Sequence, residues 1–189
     1  MELEIKLLSP DLIDDFLYFF DEIGFADNPD WADCYCHFYH FKGSRKEWTK
    51  STKEQNRNAS KSMILSGDMQ GFLAYLEGRP IGWCNANSKN NYQYQIYKEP
   101  VKTEGKIASI VCFLISYQHR KKGIAKLLLK YTCQYFQQKD YDYIESYPRK
   151  NTKSDAYNYH GTYTMYQSEG FYVEKELKHS FVMRKRLKN

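Results

Sequence analysis

Residues 107–139, IASIVCFLISYQHRKKGIAKLLLKYTCQYFQQK, carry the pattern on which the fold turns. The apolar run Ile107–Ile115 is long enough for a strand buried on both faces. A short polar turn over residues 116–122 leads into a helical period. There Ile124, Leu127, Leu128, Tyr131 and Tyr135 share one face, with Lys126, Lys130, Gln134 and Gln137 largely away from it. A strand, a basic turn with one glycine and a helix together suit a pyrophosphate. Backbone N–H groups left free at a helix start, and the positive end of the helix dipole, bind anions. The turn is Arg120-Lys121-Lys122-Gly123-Ile124-Ala125, of the form R-x-x-G-x-A. It has neither the G-x-x-x-x-G-K-[ST] of a nucleoside-triphosphate loop nor the G-x-G-x-x-G of a dinucleotide fold. Gly123 allows close approach of the main chain or a positive φ, and Ala125 keeps the next position small.

C-terminal to this stretch, residues 143–147 (YIESY) read as a strand and 148–159 as a polar loop. Residues 161–169 read as a short helix stopped by Gly170, and 173–179 with 181–187 as a final antiparallel pair. Toward the N-terminus, residues 71–76 and 81–86 form a hairpin turning at Gly78. The polar stretch 88–104 leads straight into the central strand and is expected near the site. Residues 44–66 form a polar helix interrupted near Thr52, whose Lys46, Lys50, Lys53, Arg57 and Lys61 read as a solvated face. The chain begins with a strand over residues 2–8 and a helix opened by Pro10 behind a Ser9 cap, closed by Gly24.

Residues 32–41 (ADCYCHFYHF) are expected to be helical and hold Cys34, Cys36, His37 and His40. Structural zinc sites pair C-x-x-C with a distant second pair, so this compact spacing favours a buried or acceptor-side aromatic wall, and no metal is assigned.

At 189 residues, with 42% hydrophobic and 17% aromatic residues, the chain reads as one folded domain over 1–189. The order of elements is mixed α/β, with no internal repeat or linker. A net charge of +5 fits an anionic ligand, although it also permits nucleic acid. The five cysteines are odd in number, no signal peptide is visible and no apolar run reaches membrane-spanning length. A cytoplasmic protein without a membrane partner is the expectation.

The R-x-x-G-x-A turn after a buried strand resembles the acetyl-CoA loop of the GNAT superfamily of acyltransferases. Tyr166-Gln167-Ser168-Glu169-Gly170-Phe171 is similar to the Y-x-x-x-G-F near the end of many such enzymes. Gly82-Trp83-Cys84, Cys112-Phe113, Glu145-Ser146-Tyr147-Pro148 and Gly161-Thr162, with the early Cys34-Tyr35-Cys36, resemble a bacterial GNAT subgroup without an assigned acceptor. The chain departs from it at Ser146, where the subgroup often has Gly, and at Tyr166, where it often has Phe.

The resemblance covers essentially the whole chain. It implies a GNAT fold, a central mixed but mostly antiparallel sheet flanked by helices, and direct transfer of an acetyl group from acetyl-CoA to a primary amine. It places Phe113, Leu114 and Ile115 along the pantetheine arm, with the Leu114 and Ile115 main chain polarising the thioester carbonyl. It places the pyrophosphate on the N–H groups of Arg120 through Ala125, with charge from Arg120 and Lys121.

Tyr166 stands where such enzymes place the acid that protonates the thiolate, and the other reading is an aromatic packing residue. Glu145 is the candidate base, and the other reading is a carboxylate bound to neighbouring segments. His160, Glu104 or a water chain are alternatives. The acceptor is a small molecule or a protein amine, and a homodimer is compatible. Two other classes stand beside the enzyme: an acyl-CoA-binding module without catalysis, and a nucleic-acid binder, disfavoured because no nucleic-acid motif is present.

Overall fold

The computed structural model describes residues 3–93, 104–152 and 154–188. Most of the polar stretch 88–104 lies outside the described residues. Strand β1 (Leu3–Leu7) leads through a 3-10 turn at Pro10–Leu12 into helix α1 (Ile13–Tyr18), which a π turn extends over Phe19–Ile23. Ser9 occupies the cap position without a side-chain bond.

The polar segment splits into α2 (Arg45–Trp48) and α3 (Lys53–Ser66). Each half has its own capping box, Ser44 with Glu47 and Thr52 with Gln55, so the break at Thr52 is written into the sequence. Gly67, at φ 77°, ends α3 in a left-handed cap. Lys46, Lys50, Lys53 and Lys61 are exposed, as a solvated face requires, while Arg57 pairs with Asp21 at 3.1 Å.

The hairpin is β2 (Gly71–Leu76) with β3 (Arg79–Ser88), followed by β4 (Ile107–Ile115), α4 (Ile124–Gln138) and β5 (Tyr143–Ser146). The chain closes with α5 (Tyr163–Ser168), β6 (Tyr172–Glu176) and β7 (Phe181–Arg186).

The strands form one sheet in the order β1-β2-β3-β4-β5-β7-β6. Every pairing is antiparallel except β4 with β5. Alternation sorts the side chains onto two faces. Phe72, Ala74, Cys84 and Ala86 pack with the α4 and α5 side, whereas Leu73, Tyr75 and Trp83 pack with α1 and α3.

On β4 this alternation changes phase. Ala108 and Ile110 face α4, and so do Phe113 and Ile115, two even and two odd positions. Val111, Cys112 and Leu114 belong to the other side. The pairing explains it: Asn85 lies opposite Cys112 and Ala86 opposite Ile110, so Val111 is the extra residue of a β-bulge.

Two expectations are corrected. Residues 32–41 are not a helix. Tyr35 and Cys36 both have positive φ, at 43° and 54°, which an α-helix cannot contain, and only short 3-10 turns at Pro29–Trp31 and Phe38–His40 flank them. The turn is held from outside: Ser60 Oγ donates to Tyr35 O at 3.0 Å, Asn85 Nδ2 donates to Cys36 O at 3.3 Å, and the Tyr35 hydroxyl bonds Asp21.

The buried face of α4 is also rotated from the expected one. Ile124, Leu128, Leu129, Thr132, Cys133 and Phe136 are buried, while Leu127 and Tyr131 are 41% and 37% exposed. Three consecutive leucines leave the phase of the stripe undetermined until the helix is docked.

Candidate active site

Strands β4 and β5 run together only from Ile107 opposite Tyr143 to Ile110 opposite Ser146. Beyond that point β5 ends and β4 continues to Ile115 with one edge unpaired by any strand. A cavity of about 880 Å³ opens along this edge. Its lining runs from Gly123, Ile124 and Ala125 past Phe113, Leu114 and Ile115 to Cys112, Cys36 and Trp31.

At one end lies the basic turn. Lys121 and Gly123 both adopt left-handed backbone, φ 60° and 84°. Gly123 is the N-cap of α4 and offers no side chain, and the first helical bond is Leu127 N–H to Gly123 O at 3.0 Å. The first-turn N–H groups of a 15-residue helix therefore face the cavity mouth without a side-chain cap, the arrangement that takes up phosphate oxygens. A Cβ on Gly123 would meet nothing within 4 Å, so glycine is needed there for its φ and not for space.

Arg120 is already engaged. Its guanidinium grips Asp27 at 2.5 and 2.8 Å, its Nε donates to Ile115 O at 3.0 Å, and it lies over the Tyr117 ring. It braces the turn while still lining the cavity. Lys121 lines the cavity, whereas Lys122 is exposed outside its lining.

Main-chain groups on β4 alternate between its two neighbours. Ser116 N–H bonds Ile81 O of β3 at 2.9 Å, which puts Leu114 N–H on the β3 side and Ile115 N–H on the open side. Phe113 N–H also points to the open side, where Tyr159 O accepts it at 2.5 Å. Of the two main-chain groups expected to face a donor thioester, only Ile115 presents its N–H to the cleft.

The far wall is aromatic. Trp31 meets Tyr157 and Tyr159 edge-on at 5.4 and 5.8 Å, and Arg149 lies over both tyrosine rings with its guanidinium 2.7 Å from the Tyr159 hydroxyl. Behind this wall Tyr39 Oη is 3.2 Å from His160 Nε2. Burial lowers the His160 imidazole to about 3, so it is uncharged at neutral pH.

Sequence reading placed an aromatic wall at residues 32–41 but missed Trp31, Arg149, Tyr157 and Tyr159. These residues stand in polar loops without a periodic pattern, so only the fold brings them together. His37 and His40 bond Asn56 and Asn85, at 3.2 and 3.4 Å. Among the described residues no three His, Cys, Asp or Glu side chains are grouped to hold a metal ion, and no helix is long and apolar enough to cross a membrane.

Tyr166 is fully buried, packed on Phe113 and Phe171, and its hydroxyl donates to His160 O at 2.7 Å. It lies directly beneath Gly161: a Cβ there would sit 2.9 Å from the phenolic oxygen. Gly161, Thr162 and Met165 line the cavity, and Tyr166 stands one layer behind them.

Glu145 is also fully buried and is not among the lining residues. Arg184 Nε, Lys89 Nζ and Tyr147 Oη lie 3.1, 2.9 and 3.1 Å from its carboxylate. Burial alone would raise its pKa, but bonds from Lys89 and Arg184 outweigh that and hold it below the usual carboxylate range. His160 is likewise absent from the lining, and Glu104 is exposed.

An unpaired central-strand edge that ends at an uncapped helix start over a basic turn defines an acyl-coenzyme A fold. The Acetyltransferase (GNAT) family matches residues 28–162, well over half of the chain, and the protein belongs to this family. Its fold is shared by the PaiA N-acetyltransferase from Thermoplasma acidophilum, solved in complex with coenzyme A. The two are 17% identical over 98% of this chain and 99% of that one, with a TM-score of 0.56. The NatC complex bound to Gag peptide and CoA matches at 16% identity over all of both chains, TM-score 0.57. An N-acetyltransferase from Staphylococcus aureus Mu50 matches at 12% identity, again over all of both chains, TM-score 0.57. At these identities the likeness speaks for the fold alone. No curated protein matches the chain.

Proposed function

We propose that the protein is an N-acetyltransferase that takes the acetyl group of acetyl-CoA and delivers it to a primary amine of a small molecule or a protein. The observation that carries this reading is the continuity of one cavity, from the uncapped start of α4 along the open edge of β4 to the aromatic wall. The turn of residues 120–125 would hold the pyrophosphate on main-chain N–H groups, and Phe113, Leu114 and Ile115 would flank the pantetheine arm. The Ile115 N–H is the group available to an acyl-donor oxygen on that edge.

Tyr166 and Glu145 take other roles in this reading. The Tyr166 proton is committed to His160 O, so the phenol positions the 160–162 turn that lines the cavity. Glu145 is an ionised clasp between strands, too strongly paired to act as a base.

Isothermal titration with acetyl-CoA tests the proposal. The wild-type protein is expected to bind, and Gly123→Glu, which forces a side chain into left-handed backbone and adds negative charge at the phosphate position, is expected not to. A folded wild-type protein that fails to bind acetyl-CoA would overturn the reading. Binding without release of free coenzyme A thiol across a broad panel of amines would point instead to a binding module.

A further inference from the structure

Arg149 stands at the acceptor end of the cavity with its charge unanswered. Among the described residues, the arginines drawn in from solvent are Arg57, Arg120, Arg149 and Arg184. Arg57 holds the carboxylate of Asp21, Arg120 that of Asp27, and Arg184 those of Glu145 and Glu174. Arg149 alone of the four has no carboxylate among the described residues. A guanidinium kept partly out of water without an opposite charge is costly, and a bound anion relieves that cost.

The side chain is also held in place. Residue 149 bridges Ser180, and its neighbours fix the same segment: Phe181 N–H bonds Pro148 O at 3.0 Å and Lys150 N–H bonds His179 O at 3.1 Å. The guanidinium carbon lies 5.6 and 5.1 Å from the ring centres of Tyr157 and Tyr159, and Trp31 backs both rings edge-on. One N–H of the guanidinium donates to the Tyr159 hydroxyl at 2.7 Å. A guanidinium has five N–H donors, and among the described residues the other four have no acceptor. A planar fork fixed by stacking, with donors to spare, matches the two oxygens of a carboxylate.

The surroundings fit the same partner. His160, next to Tyr159, is uncharged. Asp30 and Asp33 also line the cavity, both exposed, so its mouth carries the opposite sign and the wall as a whole suits a molecule with both charges rather than a polyanion. Phe38 and Trp48 on the same lining offer apolar contact to a carbon skeleton. Tyr159 ties this wall to the donor edge, because its carbonyl accepts the Phe113 N–H at 2.5 Å. One tyrosine thus separates the guanidinium from the strand edge along which the acyl donor would lie.

We infer that the acceptor is an amino acid, a primary amine whose own carboxylate is clasped by Arg149. The inference rests on the acetyltransferase reading and names its substrate class. In transfer the carbon–nitrogen bond forms as the carbon–sulfur bond to coenzyme A breaks. The amine nitrogen gives up a proton and the coenzyme A sulfur takes one up, while Arg149 stays with the carboxylate. The product is an N-acetyl amino acid. Arg149 is a specificity-determining residue in this scheme and takes no part in bond making.

Matched amines that differ in the carboxylate decide it. The full chain is assayed for release of coenzyme A thiol with phenylalanine against phenethylamine, leucine against isoamylamine and lysine against cadaverine. The carboxylated member of at least one pair is expected to be preferred in kcat/KM by about tenfold to a hundredfold, the range of a hydrogen-bonded charge. The amide of that amino acid, which removes the charge without touching the protein, should lose the preference. Arg149→Gln should lose it too, chiefly through a higher KM, and Arg149→Lys, which keeps the charge but not the fork, should recover part of it. Calorimetric binding of acetyl-CoA checks that each variant is folded. Decarboxylated partners accepted as well as or better than the amino acids would overturn the inference and leave the transferase reading standing. So would a preference for phosphoethanolamine, which would assign the fork to a phosphate, or for peptides with a free N-terminus. Acetyl-CoA binding without turnover of any amino acid would overturn it as well, and a wild-type protein that fails to bind acetyl-CoA would overturn both readings.

Discussion

Glu145 and Arg184 face each other on adjacent strands β5 and β7, with the Arg184 Nε 3.1 Å from the carboxylate and both side chains withdrawn from solvent. Lys89 closes on the same carboxylate at 2.9 Å, and Arg184 reaches Glu174 at 3.0 Å. This chain of charges fastens the short β5 to β7 where β4 has begun to part from β5. Removing one partner of a buried pair strands the other. Glu145→Gln is expected to destabilise the protein by about 3 kcal/mol. At this chain length that lowers the melting temperature by about 6–12 °C, measurable by calorimetry. Because the Glu145 pKa is lowered on folding, its contribution is complete above its ordinary value of 4.5 and is lost as pH falls through the folded value. The gap between variant and wild type should therefore narrow in acid, and a gap that stays constant would show that charge is not its source.

Tyr166→Phe removes the hydroxyl that donates to His160 O. The expected cost is about 1 kcal/mol of stability in urea unfolding. Turnover should fall by less than tenfold, well short of the ~100-fold or more that loss of a general acid brings. A larger loss of kcat with unchanged acetyl-CoA binding would return the phenol to the chemistry.

Arg120 tethers the turn of residues 120–125 to Asp27, near the end of the segment that follows α1. Arg120→Ala loses this brace, the bond to Ile115 O and a cation, and is expected to weaken acetyl-CoA binding about tenfold, or ~1.4 kcal/mol. Asp27→Asn keeps the cation and should stay within about threefold of wild type, in keeping with a partly exposed ion pair. Tighter binding by Asp27→Asn would mean that the tether withholds Arg120 from the donor.

His40 and His160 set the acid limit. Burial lowers their imidazoles to about 4 and about 3, from an ordinary 6.5. Between those values the unfolded chain binds protons that the folded chain does not, so stability rises with pH across this window and is lost as pH falls through it. Each histidine contributes up to about 1.4 kcal/mol per pH unit. Urea midpoints at pH 7 and pH 5 should differ clearly, and His160→Gln should flatten that slope.

What the sequence could reveal follows from where each signal resides. The strand and helix around Gly123, the paired capping boxes at Ser44 and Thr52 and the hairpin at Gly78 are local, and each appeared where its residues required. Residues 32–41 misled because aromatic spacing imitates a helix, whereas the actual turn is fixed by Ser60 and Asn85, distant in the chain. The cationic partners of Glu145 lie 39 and 56 residues away, so nothing near it in sequence marks a charge-paired carboxylate. Tyr159 O on Phe113 N–H is likewise a contact that only the fold creates.

The extra residue at Val111 divides β4 into two reading frames. Ahead of it, even positions look toward α4; behind it, odd ones do. Deleting Val111 alone would leave the length and composition of the strand nearly intact. It would also keep the sides of everything downstream, because Cys112 would then follow Ile110 in plain alternation and Phe113 and Ile115 would still face α4. A residue gained or lost elsewhere in the strand would instead slip one part against the other and turn its side chains to the opposite face, so the bulge is the one place where this strand absorbs a change of length.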